Sequence, residues 1–181
     1  LGAGGMLGNA VFRLFAEDGR FSTTGTLRSP AKAHHFTSEE RKRLITDVDV
    51  TQDRALVSAF AQANPTTVIN CVGIIKQQKS AMDPLTALTM NAVLPHRLAK
   101  LCEASGSRLI HMSTDCVFSG LKGGYTEDDV ADADDLYGRT KYLGETDYPH
   151  AVTLRTSIIG HELESAYSLV DWFLSQAGWI K

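Results

Sequence analysis

Cysteine is scarce in this chain. There are three in 181 residues, Cys71, Cys102 and Cys116, odd in number, scattered and without a C-x-x-C pair. That pattern argues against a secreted disulfide framework and sets a reducing cytoplasm as the expected location. No apolar run is long enough to span a bilayer, and no signal-peptide pattern is present. Neither sign of charge is in excess: 18 Lys and Arg stand against 21 Asp and Glu, a net charge of −3. This excludes the basic surface that a nucleic-acid or membrane-surface partner requires. Internal repeats and low-complexity linkers are also missing. What remains, 43% hydrophobic and 22% charged residues, is ordinary for a soluble globular domain and enough for one core.

The chain opens without Met, directly on L-G-A-G-G-M-L-G. A glycine loop of this kind follows a strand, so a first strand is expected ahead of Leu1. Gly2, Gly5 and Gly8 have the spacing that lets backbone N–H groups approach a pyrophosphate at a helix N-terminus, with Met6 and Leu7 opening that helix. Leu7, Ala10, Val11, Leu14 and Phe15 recur at helical spacing, and Gly19 ends the helix. Residues 21–27 read as a second strand. NAD-selective folds carry an acid near the end of this strand; Arg28 and Ser29 stand there instead, which suits a 2′-phosphate and favours NADP over NAD.

Residues 31–43 read as a polar, basic loop. Its adjacent His34 and His35 have no Cys or acid at ligand spacing, so they are taken as solvated and no metal is expected. A third strand is expected over 44–50, where Asp49 and Val50 either cap the next helix or lie near an adenine ring. Ala55, Leu56, Ala59 and Phe60 make that helix amphipathic, and Pro65 follows it. Residues 67–72 are almost continuously apolar, as central parallel strands are, and end in N-C-V-G. Cys71, Val72 and Gly73 thus sit at a strand's carboxyl end, where α/β sheets hold ligands. The polar loop 74–80 carries Lys76, a candidate substrate contact.

Residues 85–104 form a long helical pattern with Leu94, Leu98, Leu101 and Cys102 on one face and a kink expected at Pro95. Asn91 lies on this helix, where an Asn is ordinarily exposed. A short buried strand is expected over 108–112, followed by Ser113 and Thr114. The loop 119–135 carries six acids, the last of which are suited to cap the following helix. Ala151–Arg155 reads as a strand and residues 167–177 as a final helix. Repeated strand–helix alternation means a parallel α/β sheet covered on both faces.

On the helix after the acidic loop, Tyr137 and Lys141 are four residues apart and share a face. An ammonium beside a phenol favours the phenolate and is expected to lower the Tyr pKa from about 10. Such a Tyr exchanges a proton as carbonyl reduction demands. A strand-end hydroxyl, Ser113 or Thr114, is placed to hydrogen-bond the same carbonyl oxygen.

In order, the glycine loop, D-V, N-C-V-G, the helix Asn, S-T-D, Y-x-x-x-K and L-R-T-S resemble the extended short-chain dehydrogenase/reductase superfamily. M-N-A-V-L-P-H-R-L-A, S-T-D-C-V-F-S-G and L-Y-G-R-T-K-Y-L-G-E are similar to the dTDP-4-dehydrorhamnose reductase group, over nearly the whole chain. The resemblance implies a Rossmann-type, doubly wound parallel sheet, with residues 1–160 binding NADP (preferred) or NAD and 161–181 beginning a truncated substrate part. Roughly a hundred further residues are expected beyond that point. It implies Thr114 as the catalytic hydroxyl, Tyr137 as proton donor, Lys141 as the group that tunes Tyr137 and holds the nicotinamide ribose, and Asn91 as part of a proton relay. The implied substrate is a 4-keto-6-deoxy nucleotide sugar, reduced at C4, with Asp115 and Cys116 near it and a homodimer as the assembly. Related 4,6-dehydratases carry Glu where this chain has Cys116, which argues against elimination. A Cys base occurs there in epimerase–reductases, so Cys116 is either an epimerisation base or a small buried packing residue. A non-catalytic NADP-binding regulatory subunit is the third reading, since the β subunit of methionine adenosyltransferase is similar to the same reductases.

Overall fold

The computed structural model describes residues 1–75, 82–164 and 168–176. In chain order its elements are α1 (Met6–Glu17), β1 (Gly25–Thr26), a 3-10 helix (Pro30–His35), α2 (Ser38–Arg41), β2 (Leu44–Ile45), α3 (Asp53–Ala63) and β3 (Thr67–Asn70). There follow α4 (Pro84–Ala87), a π-helical turn (Leu88–Val93), α5 (Leu94–Ser105), β4 (Arg108–Ser113), a 3-10 turn (Asp115–Val117), α6 (Leu136–Leu143), β5 (Ala151–Arg155) and α7 (Leu169–Leu174). Among the described residues no helix is long and apolar enough to cross a membrane. The chain divides into two compact units, Leu1–Asp49 with Ile158–Lys181, and Val50–Ser157.

In the first unit β1 and β2 pair in parallel. Ala3, Phe12, Leu27 and Phe36 form its core, with Ala16, Ala33 and Leu44 against them. The expected apolar stripe of α1 is out of phase: Gly8 and Phe12 are its buried residues, while Leu14 is 67% exposed. The phase is set at Gly8, where an added Cβ would lie 2.0 Å from the Gly2 carbonyl oxygen, so this face must turn inward. The expected strand 21–27 shortens because Phe21 leaves it for an edge-on contact with Phe15, ring centroids 5.0 Å apart. The expected strand 44–50 shortens because Asp47 takes a left-handed conformation, φ 61°, which breaks extended pairing. The expected loop 31–43 contains helical turns instead. Ser29 caps the first through the Ala31 N–H, and Thr37 and Glu40 form a capping box on α2.

In the second unit the order is β3-β4-β5, all parallel, with Asn70 opposite His111 and Ser113 opposite Arg155. The expected strand 67–72 stops at Asn70, whose side-chain oxygen accepts the Val72 N–H at 3.1 Å and turns the backbone. The N-cap of α3 is Gln52, so Asp49 and Val50 are not its cap. A π turn, Leu88–Val93, runs directly into Pro95, so the helix is irregular at the Asn91 carbonyl that Pro95 cannot bond. Pro95 itself sits in the first turn of α5, where a missing N–H is tolerated. Of the expected face Leu94, Leu98 and Cys102 are buried, while Leu101 is only half-buried and Ala99 is buried in addition.

Candidate active site

Two glycines fix α6 within the second unit. A Cβ on Gly138 would lie 2.3 Å from the Cys116 carbonyl oxygen, and one on Gly144 would lie 1.9 Å from that of Asn91. Only glycine permits these approaches, so α6 rests directly on the turn after β4 at one end and on the π turn at the other. Pro95 cannot donate to the Asn91 carbonyl four residues back, and it is this oxygen that Gly144 packs against. Asp135 caps α6, its carboxylate accepting the Gly138 N–H at 2.8 Å, as the acidic loop led one to expect.

This packing brings the phenol of Tyr137 within hydrogen-bonding reach of the Thr114 hydroxyl. Thr114 Oγ1 also accepts the Cys116 N–H at 3.2 Å and donates to Asp115 Oδ1 at 3.1 Å. Ser113 has a different role. Its hydroxyl donates to Glu145 at 2.8 Å, and Glu145 is gripped by Arg155 through two bonds of 2.9 and 2.8 Å. Of the two strand-end hydroxyls, Thr114 is therefore the one that meets Tyr137.

Lys141 is 5% exposed, and its Nζ donates to the Met112 carbonyl at 2.8 Å. The same Nζ would be 3.7 Å from a Cβ on Gly73, at the end of β3. Asn91, expected on an exposed helix face, is 1% exposed. Its Oδ1 accepts the Ile74 N–H at 2.9 Å, and its Nδ2 donates to the Ile74 carbonyl at 3.3 Å and to Thr140 Oγ1 at 3.5 Å. Thr114, Tyr137, Lys141, Asn91 and Gly73 thus gather at the carboxyl ends of β3 and β4.

Burial pulls the Lys141 ammonium down to about 8, against the pull of Glu145 one turn on. Burial pushes the Tyr137 phenol above its ordinary value, although the Thr114 hydrogen bond opposes this. The expectation that Lys141 lowers Tyr137 is therefore corrected. Desolvation is the largest cause of the shift, with Cys116, Asp115 and Asp135 adding to it, and the Lys141 ammonium directs a proton at the Met112 carbonyl. Tyr137 is a neutral phenol at physiological pH, able to donate a proton. One further correction concerns a neighbour. Cys116 is exposed, not a buried packing residue, with its sulfur 3.7 Å from Asp115 Oδ1. Ser157 donates to Asp115 and, as the largest cause, holds its carboxyl below the usual range. Cys71 is half-buried, and burial raises its thiol. Lys76 lies outside the described residues.

The first unit carries the glycine turn. Gly2 has φ 85°, its carbonyl accepts the Gly5 N–H at 3.0 Å, and Ala3 N–H donates to Thr26 at 3.0 Å. Gly5 is the N-cap of α1, and no side chain caps that helix. An N-terminus without a side-chain cap, opened by Met6 and Leu7, presents the backbone donors that a phosphate accepts. Arg28 is exposed after β1, and the Ser29 hydroxyl is engaged by the Ala31 N–H at 3.2 Å. Asp49 is half-buried and Val50 buried.

Three groups escaped the sequence reading. His111, fully buried on β4, receives the Asn70 amide at 3.1 Å and is held neutral, its pKa lowered to about 3 by burial and then by Lys141. Glu145 and Arg155 form a mostly buried pair. Glu145 follows Lys141 by four positions in Y-G-R-T-K-Y-L-G-E, a spacing that could have identified it. The third is Glu164, which meets His35 across 129 residues of chain.

The RmlD substrate binding domain family matches residues 1–171. The chain is 35% identical over 162 residues to a dTDP-4-dehydrorhamnose reductase of Mycolicibacterium smegmatis, covering 86% of this chain and 43% of that protein. It is 30% identical over 167 residues to methionine adenosyltransferase 2 subunit beta of Xenopus tropicalis, covering 90% of this chain and 47% of that one. The crystal structure of a hypothetical dTDP-4-dehydrorhamnose reductase from Sulfolobus tokodaii superposes with a TM-score of 0.70 at 27% identity, over 85% of this chain and 53% of its own. The fold is thus the Rossmann-type α/β fold that the motif order implied. The chain spans about half the length, or less, of these relatives.

Proposed function

The chain belongs to the RmlD substrate binding domain family, and on that footing we propose that it is part of a reductase that adds hydride to C4 of a 4-keto-6-deoxy nucleotide sugar. The observation that carries this reading is the cluster of buried Thr114, Lys141 and Asn91 with half-buried Tyr137 at the ends of parallel strands. A nicotinamide dinucleotide fits the residues present: a tight glycine turn at Gly2, a helix N-terminus with no side-chain cap, and an exposed Arg28 that favours the 2′-phosphate of NADP. When bound, it supplies the hydride.

The protein's own groups do the rest. Thr114 turns its one hydroxyl proton from Asp115 to the substrate carbonyl oxygen and stabilises the charge that develops there. As hydride adds to C4 and the C=O π bond breaks, Tyr137 gives its proton to the new alkoxide. Lys141, close to Gly73, stabilises the resulting phenolate and orients the ribose. Asn91 holds the Gly73–Ile74 backbone in place beside it. Asp115 and Lys76 are assigned to the sugar nucleotide, in a cytoplasmic, homodimeric enzyme.

An epimerase reading rests on Cys116, which is exposed beside Asp115 and available as a carbon base. Solvent-deuterium exchange into the sugar, lost in Cys116→Ser, would establish it. The likeness to a methionine adenosyltransferase regulatory subunit supports a binding role instead, but Thr114, Tyr137 and Lys141 favour turnover. Calorimetric titration with NADPH and NADH tests the reductase reading. Saturable binding of both, several-fold tighter for NADPH, with the preference lost in Arg28→Ala, is expected; saturable binding of neither contradicts it.

A further inference from the structure

We propose that His34, His35 and Glu164 form a surface site for one divalent cation of the zinc or nickel class. The three residues lie in the first unit, and one ligand atom from each falls within 4.8 Å of the others. The two imidazoles lie side by side at the end of the 3-10 helix, ring centroids 3.8 Å apart and tilted by 40°. His34 Nδ1 is 2.6 Å from the Ala31 carbonyl oxygen. A carbonyl only accepts, so Nδ1 carries the proton and, in the neutral ring, Nε2 keeps a free lone pair. A backbone acceptor that fixes the tautomer in this way is the usual support of a metal-binding histidine.

His35 Nε2 is 3.0 Å from Glu164 Oε1. A metal ion replaces the proton of that bond and leaves both atoms nearly where they are. A tetrahedral ion with bonds near 2.1 Å spaces its ligand atoms about 3.4 Å apart. The widest pair therefore closes by about 1.4 Å, a rotamer adjustment open to side chains at the surface. Water fills the remaining position. Two imidazoles and one carboxylate suit zinc or nickel and not the all-oxygen shell of magnesium or calcium.

The competitor is Lys32, whose Nζ is 3.0 Å from Glu164 Oε2. Arg13 and Arg41 also approach, but they donate to the carbonyl oxygens of His35 and His34 and leave the rings free. Cation binding displaces the Lys32 ammonium from the carboxylate. The stem of Lys32 lies against the glycine loop, 3.1 Å from a Cβ built on Gly4, so occupancy of the site is felt at that loop.

The test is calorimetric titration of the chain with zinc and, separately, magnesium, in a Cys116→Ser background that removes the exposed thiol. It is paired with nitrogen-15 spectra of the imidazoles. One equivalent of zinc is expected, with shifts at His34 and His35 and with affinity at least about tenfold weaker in His34→Ala and in Glu164→Gln; magnesium gives no heat. Unchanged zinc affinity in both variants, or shifts confined to His96, His111, His150 or His161, overturns the proposal. Thermal melts of the metal-free variants show that they are folded, so loss of affinity reads out the site.

Discussion

In Val50–Ser157 a lysine, two asparagines and a histidine are all at most 5% exposed: Lys141, Asn70, Asn91 and His111. In Leu1–Asp49 with Ile158–Lys181 the pair Lys32–Glu164 stays wet, its side chains 40% and 42% exposed, while Glu40 is 16% exposed beside Arg13. The first arrangement is dear in desolvation, which is offset by bonds, Lys141 to Met112, Asn91 to Ile74 and Thr140, and His111 Nδ1 to Asn70, with His111 Nε2 left buried and unpartnered. The second involves little desolvation, and the work there falls to backbone: a glycine turn and an open helix end. The difference is one of means: the second unit fixes its polar groups by burying and bonding side chains, whereas the first orients backbone N–H groups at a glycine turn and a helix end.

The sharpest way to break this contrast is at Glu145. Glu145→Ala leaves Arg155 unpaired in a largely buried position and frees the Ser113 hydroxyl. It should lower stability by about 3 kcal/mol in urea unfolding. A loss too small to measure would mean that the pair is solvated like those of the other unit.

Lys141 gives a pH signature of similar size. Its pKa is about 8 when folded against 10.5 ordinarily. Between these values the unfolded chain holds a proton that the folded chain has released, so this residue makes stability rise with pH through that window. Below about 8 both states are protonated, and the burial penalty, roughly 3 kcal/mol, is present in full. The buried Cys102 thiol, raised to about 11, works in the opposite direction above pH 9. The quantity to measure is therefore the wild-type stability minus that of Lys141→Met, which should climb between pH 8 and 10.5. A flat difference would place the ammonium in water.

The smallest effect is expected at Glu164. Glu164→Gln removes pairs to Lys32 and His35 at the surface and should leave the metal-free unfolding midpoint unchanged within error. A large shift would show that the first unit also depends on a desolvated pair.

Sequence reading went furthest where one local rule decides the outcome. Ala151–Arg155 was placed to the residue, and the strand at Arg108–Ser113 to within one. The Asp135 cap and the Tyr137–Lys141 face also followed from spacing. It fell short where a distant contact decides. The phase of α1 depends on Gly8 meeting the Gly2 carbonyl, and the burial of Asn91 on a loop seventeen positions earlier. The direction of the Tyr137 shift was misjudged because spacing reveals an ammonium one turn away but not the burial of the phenol. Glu164 was invisible as a partner of His35 because periodicity carries no information across 129 residues.

The most direct test of the account is single-turnover deuteride transfer from 4-deuterated NADPH to a dTDP-4-keto-6-deoxy sugar, read by mass and NMR at C4. The account predicts deuterium at C4 of the product, with the rate falling at least about a hundredfold in Tyr137→Phe, the loss of a positioned general acid. Deuterium transfer undiminished in Tyr137→Phe would contradict it, and so would a labelled cofactor that binds saturably beside the sugar yet leaves C4 unlabelled.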